Sequence, residues 1–141
     1  MILLDYIHEL PIQIRFNDID KLSHLNNACY LTFFELGRVN YFNKILKTLV
    51  NWDEQGFVLA HTEINHLQPI YLNDEVYCYT KVIRLGSKSL TVKNALVKKQ
   101  NNELVICAEG TGVLVAMDYK KKLSILIPEA WKKLIKEEEK I

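Results

Sequence analysis

The sequence lacks any apolar run of the about 18 residues that a membrane-crossing helix requires, and it lacks paired cysteines or histidine and cysteine clustered at zinc-ligand spacing. It contains no HExxH, no GxSxG and no GxxxxGKS/T pattern. These absences argue against a helical membrane span, a disulfide framework, a metal requirement, a serine triad on a nucleophile elbow and a P-loop. An excess of one charge is missing too. Eighteen Lys and Arg stand against 17 Asp and Glu, a net charge of +1, which provides no field to hold nucleic acid or a membrane surface. Cys29, Cys78 and Cys107 lie singly in apolar stretches, as the reduced thiols of a cytoplasmic protein would. The start, MILLDYIHEL, joins a short apolar patch to Asp5 with no basic segment before it, so export is not expected.

What is present suffices for one core: 141 residues, 49% hydrophobic, expected to fold as a single domain over 1–141. Alternation of Ile12 and Ile14 with Gln13 and Arg15 predicts a half-buried strand from about Leu10 to Phe16, followed by a polar loop, Asn17 to Asn26. From Asn27 onward Tyr30, Leu31, Phe34, Tyr41, Ile45 and Leu49 recur at helical spacing, and Phe33, Leu36, Val39 and Phe42 widen the apolar arc. Such a helix has to be wrapped, and the rest of the chain supplies the wrapper. Phe57 to Leu67, Glu75 to Leu85, Ser89 to Lys99 and Glu103 to Met117 carry β-branched and aromatic residues in period-two alternation. Leu85-Gly86-Ser87-Lys88 and Gln100-Asn101-Asn102 form the turns between them.

The last of these strands, roughly 50 Å long at about 3.3 Å per residue, must coil, and Gly110 and Gly112 mark bulges or a close approach of the helix. Pro128 opens a terminal helix to about Lys136, with its KEEEK end expected to fray in solvent. The expected class is α+β: a strongly curved antiparallel sheet of about five strands wrapping one long central helix, with a short C-terminal helix. One sheet around one helix leaves a face and an edge to cover, so a homodimer or homotetramer is expected.

Arg15 to Arg38 reads RFNDIDKLSHLNNACYLTFFELGR. Phe16, Asp18, Asp20, His24, Asn26, Asn27, Tyr30, Glu35 and Arg38, with the later Gln68-Pro69-Ile70, Asp74 and Leu85-Gly86-Ser87-Lys88-Ser89, carry a resemblance over nearly the whole chain. On these landmarks the sequence resembles the 4-hydroxybenzoyl-CoA thioesterase-like family of hotdog-fold acyl-CoA thioesterases. The resemblance implies cleavage of acyl-CoA to free carboxylic acid and CoA. It casts Asp20 as nucleophile or general base and the backbone N–H of Asn27 as the group that polarises the thioester carbonyl. The residues fit such chemistry, because Asp20 lies seven positions before the helix start at Asn27, where unpaired N–H groups and the positive end of the macrodipole point outward. Coenzyme A would be part of the substrate and no cofactor is implied. An acyl carrier protein is the alternative carrier.

Each candidate also has a plainer role. Asp20 could simply order the loop as an Asx-turn residue, and Asp18 reads as a hydrogen-bonding residue of that loop. His24 is the tempting general base, imidazole being the side chain that exchanges protons near neutral pH, though the resemblance gives it a loop-shaping part. Asn26 and Asn27 read as caps and braces, with Asn26 also a candidate substrate contact. Ser23 stands where the resembling family has Gly, which would strain a turn that requires positive φ. Glu35 lies about 12 Å along the helix from Asn27, so an ion pair with Arg38 at i,i+3 is favoured over a place beside Asp20.

Ser87, Lys88 and Ser89 could offer N–H groups and a cation to coenzyme A phosphates, as could Lys120, Lys121 and Lys122, or both could be solvated turns. Phe33, Phe34, Leu36 and Tyr41 are candidates to line an acyl tunnel, or are core. His61 and His66, five apart in a strand, face opposite sides and cannot share a metal. Two rivals stand beside hydrolysis. A hotdog dehydratase or hydratase would pair histidine with a helix carboxylate, and the central helix has no histidine; a non-catalytic acyl-thioester-binding protein would keep the fold without turnover.

Overall fold

The computed structural model of the protein describes residues 5–141; the first four residues of the N-terminal apolar patch lie outside that range. Strand β1 (His8–Ile12) is followed by a 3-10 turn at Phe16–Asp18 and the long helix α1 (Asn27–Leu46). Strands β2 (Gln55–His66), β3 (Glu75–Leu85), β4 (Ser89–Gln100), β5 (Glu103–Asp118) and the two-residue β6 (Leu123–Ser124) follow, and α2 (Glu129–Glu139) ends the described chain. All pairings are antiparallel, in the order β1-β3-β4-β5-β2 with β6 beside β5. This is the curved sheet around a central helix expected from the sequence.

Several expectations need correction. The first strand lies two residues earlier than predicted and ends at Ile12. Beyond it the Arg15 backbone N–H donates to the Asp18 carboxylate at 2.9 Å, turning the chain out of the sheet, while Ile14 still packs on the core from outside the strand. The sheet coils through register shifts at Leu59/His61, Val82/Arg84 and Leu96/Val97, not at the glycines of β5. Gly110 serves instead for close approach: an added Cβ would overlap the Glu63 carbonyl and meet the Phe34 ring at 3.0 Å. Gly37 does the same from the helix side, where a Cβ would come within 2.6 Å of the Cys78 sulfur and of the Thr80 hydroxyl. The hairpin between β4 and β5 is a two-residue loop with positive φ at both Asn101 (52°) and Asn102 (64°), the backbone that a tight hairpin demands.

Two sections of the core lie along α1, and a third, smaller cluster is formed by Tyr6, Tyr79, Ala95 and Val97. Leu25, Tyr30, Phe33, Phe34, Ile70, Val76, Leu96 and Cys107 fill the section near its N-terminus. Tyr41, Phe42, Ile45, Val92, Leu114, Trp131 and Ile135 fill the section that α2 closes. The KEEEK end of α2 is anchored rather than frayed. Tyr41 donates its hydroxyl to Glu139 at 2.6 Å, the Val82 N–H donates to the same carboxylate oxygen at 2.7 Å, and His8 meets Glu138 at 3.0 Å. The apolar arc of α1 is not wholly wrapped: Leu31, Leu36 and Val39 are about half exposed.

Candidate active site

The polar loop before α1 is a small hairpin. Ile19 and Leu25 form an isolated bridge, the Asp20 N–H donates to the His24 carbonyl at 2.8 Å, and the Ser23 N–H donates to the Asp20 carbonyl at 3.0 Å. A three-residue connection of this kind closes through a residue in the left-handed region, and Ser23 occupies it with φ 67°. The position does require positive φ, so the serine there is strained where glycine would not be. The loop is fastened from outside by the Leu25 N–H on the Ile70 carbonyl (2.7 Å) and the Asn26 N–H on the Asp18 carbonyl (2.8 Å).

Within this hairpin Asp20 has two faces. Its Oδ1 accepts from the N–H groups of Leu22 (2.9 Å) and His24 (3.3 Å), which is the loop-ordering role. Its Oδ2 takes part in no hydrogen bond among the described residues. Asp20, Leu22, His24, Asn27, Tyr30 and His66 line one cleft of about 390 Å³ together with Leu67, Gln68 and Pro69. At its floor lies the start of α1. Asn26 is the N-cap, its side-chain oxygen accepting from Ala28 at 3.1 Å and its carbonyl from the Cys29 N–H at 2.9 Å. The Asn27 N–H has no acceptor among the described residues, which leaves one donor of the helix terminus open beside Asp20.

Asp18 is structural, as expected. It is buried and receives Arg15 through the backbone N–H and through the guanidinium Nη2 at 2.8 Å. Those hydrogen bonds hold its carboxyl below the usual carboxylate range against the upward push of desolvation. His24 lies edge-on to Tyr71, ring centres 5.3 Å apart, and His66 edge-on to Tyr30 at 4.6 Å. Burial pushes the Tyr30 phenol up to about 12, so it stays a neutral hydroxyl at neutral pH.

Leu67 and Lys98 are the residues that sequence reasoning passed over, while His66 and Gln68 were singled out for other reasons, His66 as a metal candidate and Gln68 as a landmark of the resemblance. Lys98 is buried, donates to the Pro69 carbonyl at 2.8 Å and sits 3.5 Å from Asp74, pinning the loop that lines the cleft at Pro69. A lysine in the apolar alternation of β4 was the available signal.

Other candidates lie elsewhere. Ser87 and Lys88 sit in the β3–β4 turn and Ser89 opens β4; the carbonyls of Ser87 and Lys88 accept from Ile127 and Ala116, and Ser89 pairs with Val115 near the end of β5, away from Ala108, which pairs with His66 of the Asp20 cleft. Lys120 pairs with Glu54 at 3.1 Å on an exposed turn. Phe33, Phe34 and Tyr41 are core, and Leu36 faces outward. Glu35 and Arg38 do not form the expected ion pair: Glu35 is exposed while Arg38 turns inward with the buried arc. His61 contacts Glu63 at 3.2 Å, away from His66, and no group of three or more metal-ligating side chains occurs among the described residues. Of the cysteines, Cys78 and Cys107 are buried and Cys29 is half-buried, all three with free thiols.

Comparison with known proteins agrees with this fold. A thioesterase from Thermus thermophilus, solved in complex with coenzyme A and Zn, is 32% identical, with 97% of each chain covered and a TM-score of 0.83. A 4-hydroxybenzoyl-CoA thioesterase mutant in complex with 4-hydroxybenzoyl-CoA shares the fold, with a TM-score of 0.84 over 91% of this chain and 97% of that one, at 14% identity. A chloroplastic acyl-acyl carrier protein thioesterase of Arabidopsis thaliana is 24% identical over 80% of this chain. The curated relatives run longer, this chain spanning 54% of one and 61% of the other. The family model described as the thioesterase-like superfamily matches residues 14–135. The chain therefore belongs to the thioesterase-like superfamily and has its hotdog fold.

Proposed function

We propose that the protein hydrolyses acyl-CoA thioesters, with Asp20 as nucleophile or general base and the Asn27 backbone N–H polarising the carbonyl. One observation carries the reading: a carboxylate oxygen and a helix-terminal N–H, both without protein partners among the described residues, line the same cleft. A thioester carbonyl oxygen directed at Asn27 gains a donor that grows in value as negative charge develops on that oxygen. Its carbon is then open to Oδ2 itself, or to a water whose proton Oδ2 accepts. Either way the C–S bond breaks, the thiolate leaves and takes up a proton, and water supplies the second oxygen of the acid. Bracing of Oδ1 by Leu22 and His24 fixes the carboxylate in advance, which lowers the entropic part of the barrier. No cofactor enters this chemistry.

The coenzyme A complex of the Thermus relative supports coenzyme A as carrier, and the Arabidopsis relative supports an acyl carrier protein as the second reading. Free thiol release from a panel of acyl-CoA thioesters is the test. Asp20→Asn keeps an Oδ1 acceptor for the loop, so it should fold like the wild type and turn over about 100-fold more slowly or worse. Wild-type turnover in that variant would remove Asp20 from the chemistry. A wild type inert on every acyl-CoA but active on an acyl carrier protein thioester would reassign the carrier.

We further propose a homodimer or homotetramer, with β2 as the pairing edge. It is the twelve-residue outer strand of the sheet, with Val58 and Leu59 more than 40% exposed, and its Leu59 lines one cavity with the half-exposed Val39 of α1. A monomer in gel filtration at micromolar concentration would refute this.

A further inference from the structure

A carbonyl directed at the start of α1 meets a single open backbone donor there. The Ala28 N–H is taken by the Asn26 side chain at 3.1 Å and the Cys29 N–H by the Asn26 carbonyl at 2.9 Å, so Asn27 alone remains in that turn. An oxyanion accepts more than one hydrogen bond, and a donor fixed in place beforehand stabilises it more than one that must turn towards it. A second donor has to come from a side chain.

His24, Asn27, Tyr30, His66 and Gln68 carry donors and line the Asp20 cleft. Asn27, His66 and Gln68 are exposed and His24 is half-buried, so their donors stay hydrated. Tyr30 differs. It is 3% exposed, it packs in the core section of Leu25, Phe33, Phe34 and Ile70, and His66 lies edge-on to its ring at 4.6 Å. Its hydroxyl has no hydrogen bond with the described residues, unlike those of Tyr41, Tyr77 and Tyr119. Nor is that hydroxyl sealed in, because the buried side-chain polar atom left without a partner among the described residues is the Tyr6 hydroxyl. It therefore opens on the cleft that Tyr30 lines. Phenylalanine would fill the same core space; the oxygen adds a donor to the cleft.

Helical geometry says where that donor reaches. Asn27 and Tyr30 stand at i,i+3 on one face of α1, and an aromatic side chain on a helix points back over the preceding turn. The Tyr30 ring is thereby aimed at the turn whose Asn27 N–H is open. Burial is the main cause that raises the phenol to about 12, and the nearby Asp20 carboxylate is a lesser one, so the hydroxyl keeps its proton at neutral pH.

We propose that Tyr30 is a second oxyanion donor, its hydroxyl and the Asn27 N–H together holding the thioester carbonyl oxygen. This rests on the reading of the Asp20 cleft as the hydrolytic site and adds a catalytic residue to it. Negative charge gathers on the carbonyl oxygen as the nucleophile adds to the carbon, and it returns to re-form C=O as the C–S bond breaks. The phenol proton stays on Tyr30 throughout.

Tyr30→Phe removes the oxygen and keeps the ring. On the thioester that wild type hydrolyses fastest, kcat should fall about tenfold or more, with KM within about threefold of wild type and Tm within a few degrees. A second measurement does not depend on turnover. An acyl-CoA analogue with CH2 in place of the thioester sulfur, labelled with carbon-13 at its carbonyl, is bound and the carbonyl band read by difference infrared spectroscopy. Wild type should lower the band relative to water; part of that shift should vanish in Tyr30→Phe and grow in Tyr30→3-fluorotyrosine, a stronger donor of nearly the same shape. Wild-type kcat in folded Tyr30→Phe overturns the proposal. So does a lowered kcat with an unchanged band, which would make the hydroxyl a brace for water or for Asp20. Should Tyr30→Phe not fold, the fluorinated protein decides alone, an unchanged band overturning the proposal. Asp20→Asn separates the two readings: slow turnover there with Tyr30→Phe at the wild-type rate ends the role of Tyr30 alone, whereas wild-type turnover there with a band that depends on Tyr30 ends the role of Asp20 alone. If wild type hydrolyses no thioester and binds no analogue, both fall.

Discussion

At its N-terminal end α1 leaves the Asn27 N–H open beside a carboxylate with one oxygen braced and one free, whereas the section near its C-terminal end closes its polar groups: the Tyr41 hydroxyl and the Val82 N–H converge on Glu139. The same helix thus borders a cleft whose polar groups lack protein partners and a section where such groups are paired. Unpaired groups at the open end are compatible with stability because solvent satisfies them, whereas at the closed end the buried Tyr41 depends on Glu139 for its partner. Substitutions at the two ends should therefore separate turnover from stability.

The largest effect sharpens that contrast from the closed end. Glu139→Ala removes one acceptor and strands two donors, a loss of about 2 kcal/mol from a single side chain. Thermal unfolding should register it as a fall of several degrees in Tm, while the turnover of folded enzyme stays at the wild-type level. Asp20→Asn should do the reverse. If Glu139→Ala melts with the wild type, the anchoring of α2 is not what closes this section.

A smaller effect tests the open end. Arg15 hydrogen bonds depress the Asp18 carboxyl, so the unfolded chain binds a proton there more readily than the folded one. The stabilisation is complete above the unfolded value of about 3.9 and is lost as pH falls through the lower folded value. Asp18→Asn should lower Tm by a few degrees at neutral pH, and the gap should shrink to nothing as the pH drops well below about 4, since protonation of the wild type removes the same charge. Most of Arg15 is exposed, so solvent screening limits the effect. A gap that persists unchanged in acid would show that packing, not charge, is what Asp18 provides.

How much of this the sequence disclosed depends on the range of the interactions involved. Strand β3 falls on the predicted Glu75 to Leu85, and α1 starts at the predicted Asn27, because alternation and capping act between near neighbours. Gly37 escaped notice because its partners, Cys78 and Thr80, lie some forty residues on. That His66 to Pro69 line the cleft of Asp20 was not legible for the same reason, nor was the anchoring of Glu139 by Tyr41. Arg38 was misread through a local rule. Spacing of i,i+3 brings Glu35 near only while both side chains stay in solvent, and Arg38 lies on the side that the sheet buries. Asp20 was legible as a site residue but not as a braced one, since the hairpin that holds it depends on a bridge to Leu25 and on the Ile70 carbonyl beyond β2.

The smallest expected effect lies in that hairpin. Ser23 holds φ at 67°, a conformation costing a residue with a Cβ about 1 kcal/mol and glycine almost nothing. Glycine also loses more freedom on folding, so the net gain from Ser23→Gly should be under about 1 kcal/mol, read as a Tm rise of a few degrees. Turnover is the sharper reading. Leu22 and His24 brace Asp20 from either side of residue 23, and the Ser23 side chain makes no hydrogen bond among the described residues. A more stable protein with unchanged turnover means that the brace, and not the strain, positions the carboxylate. A drop in turnover together with a rise in Tm would mean that strain at Ser23 holds Asp20 in its working position, and the open end of α1 would then trade stability for geometry.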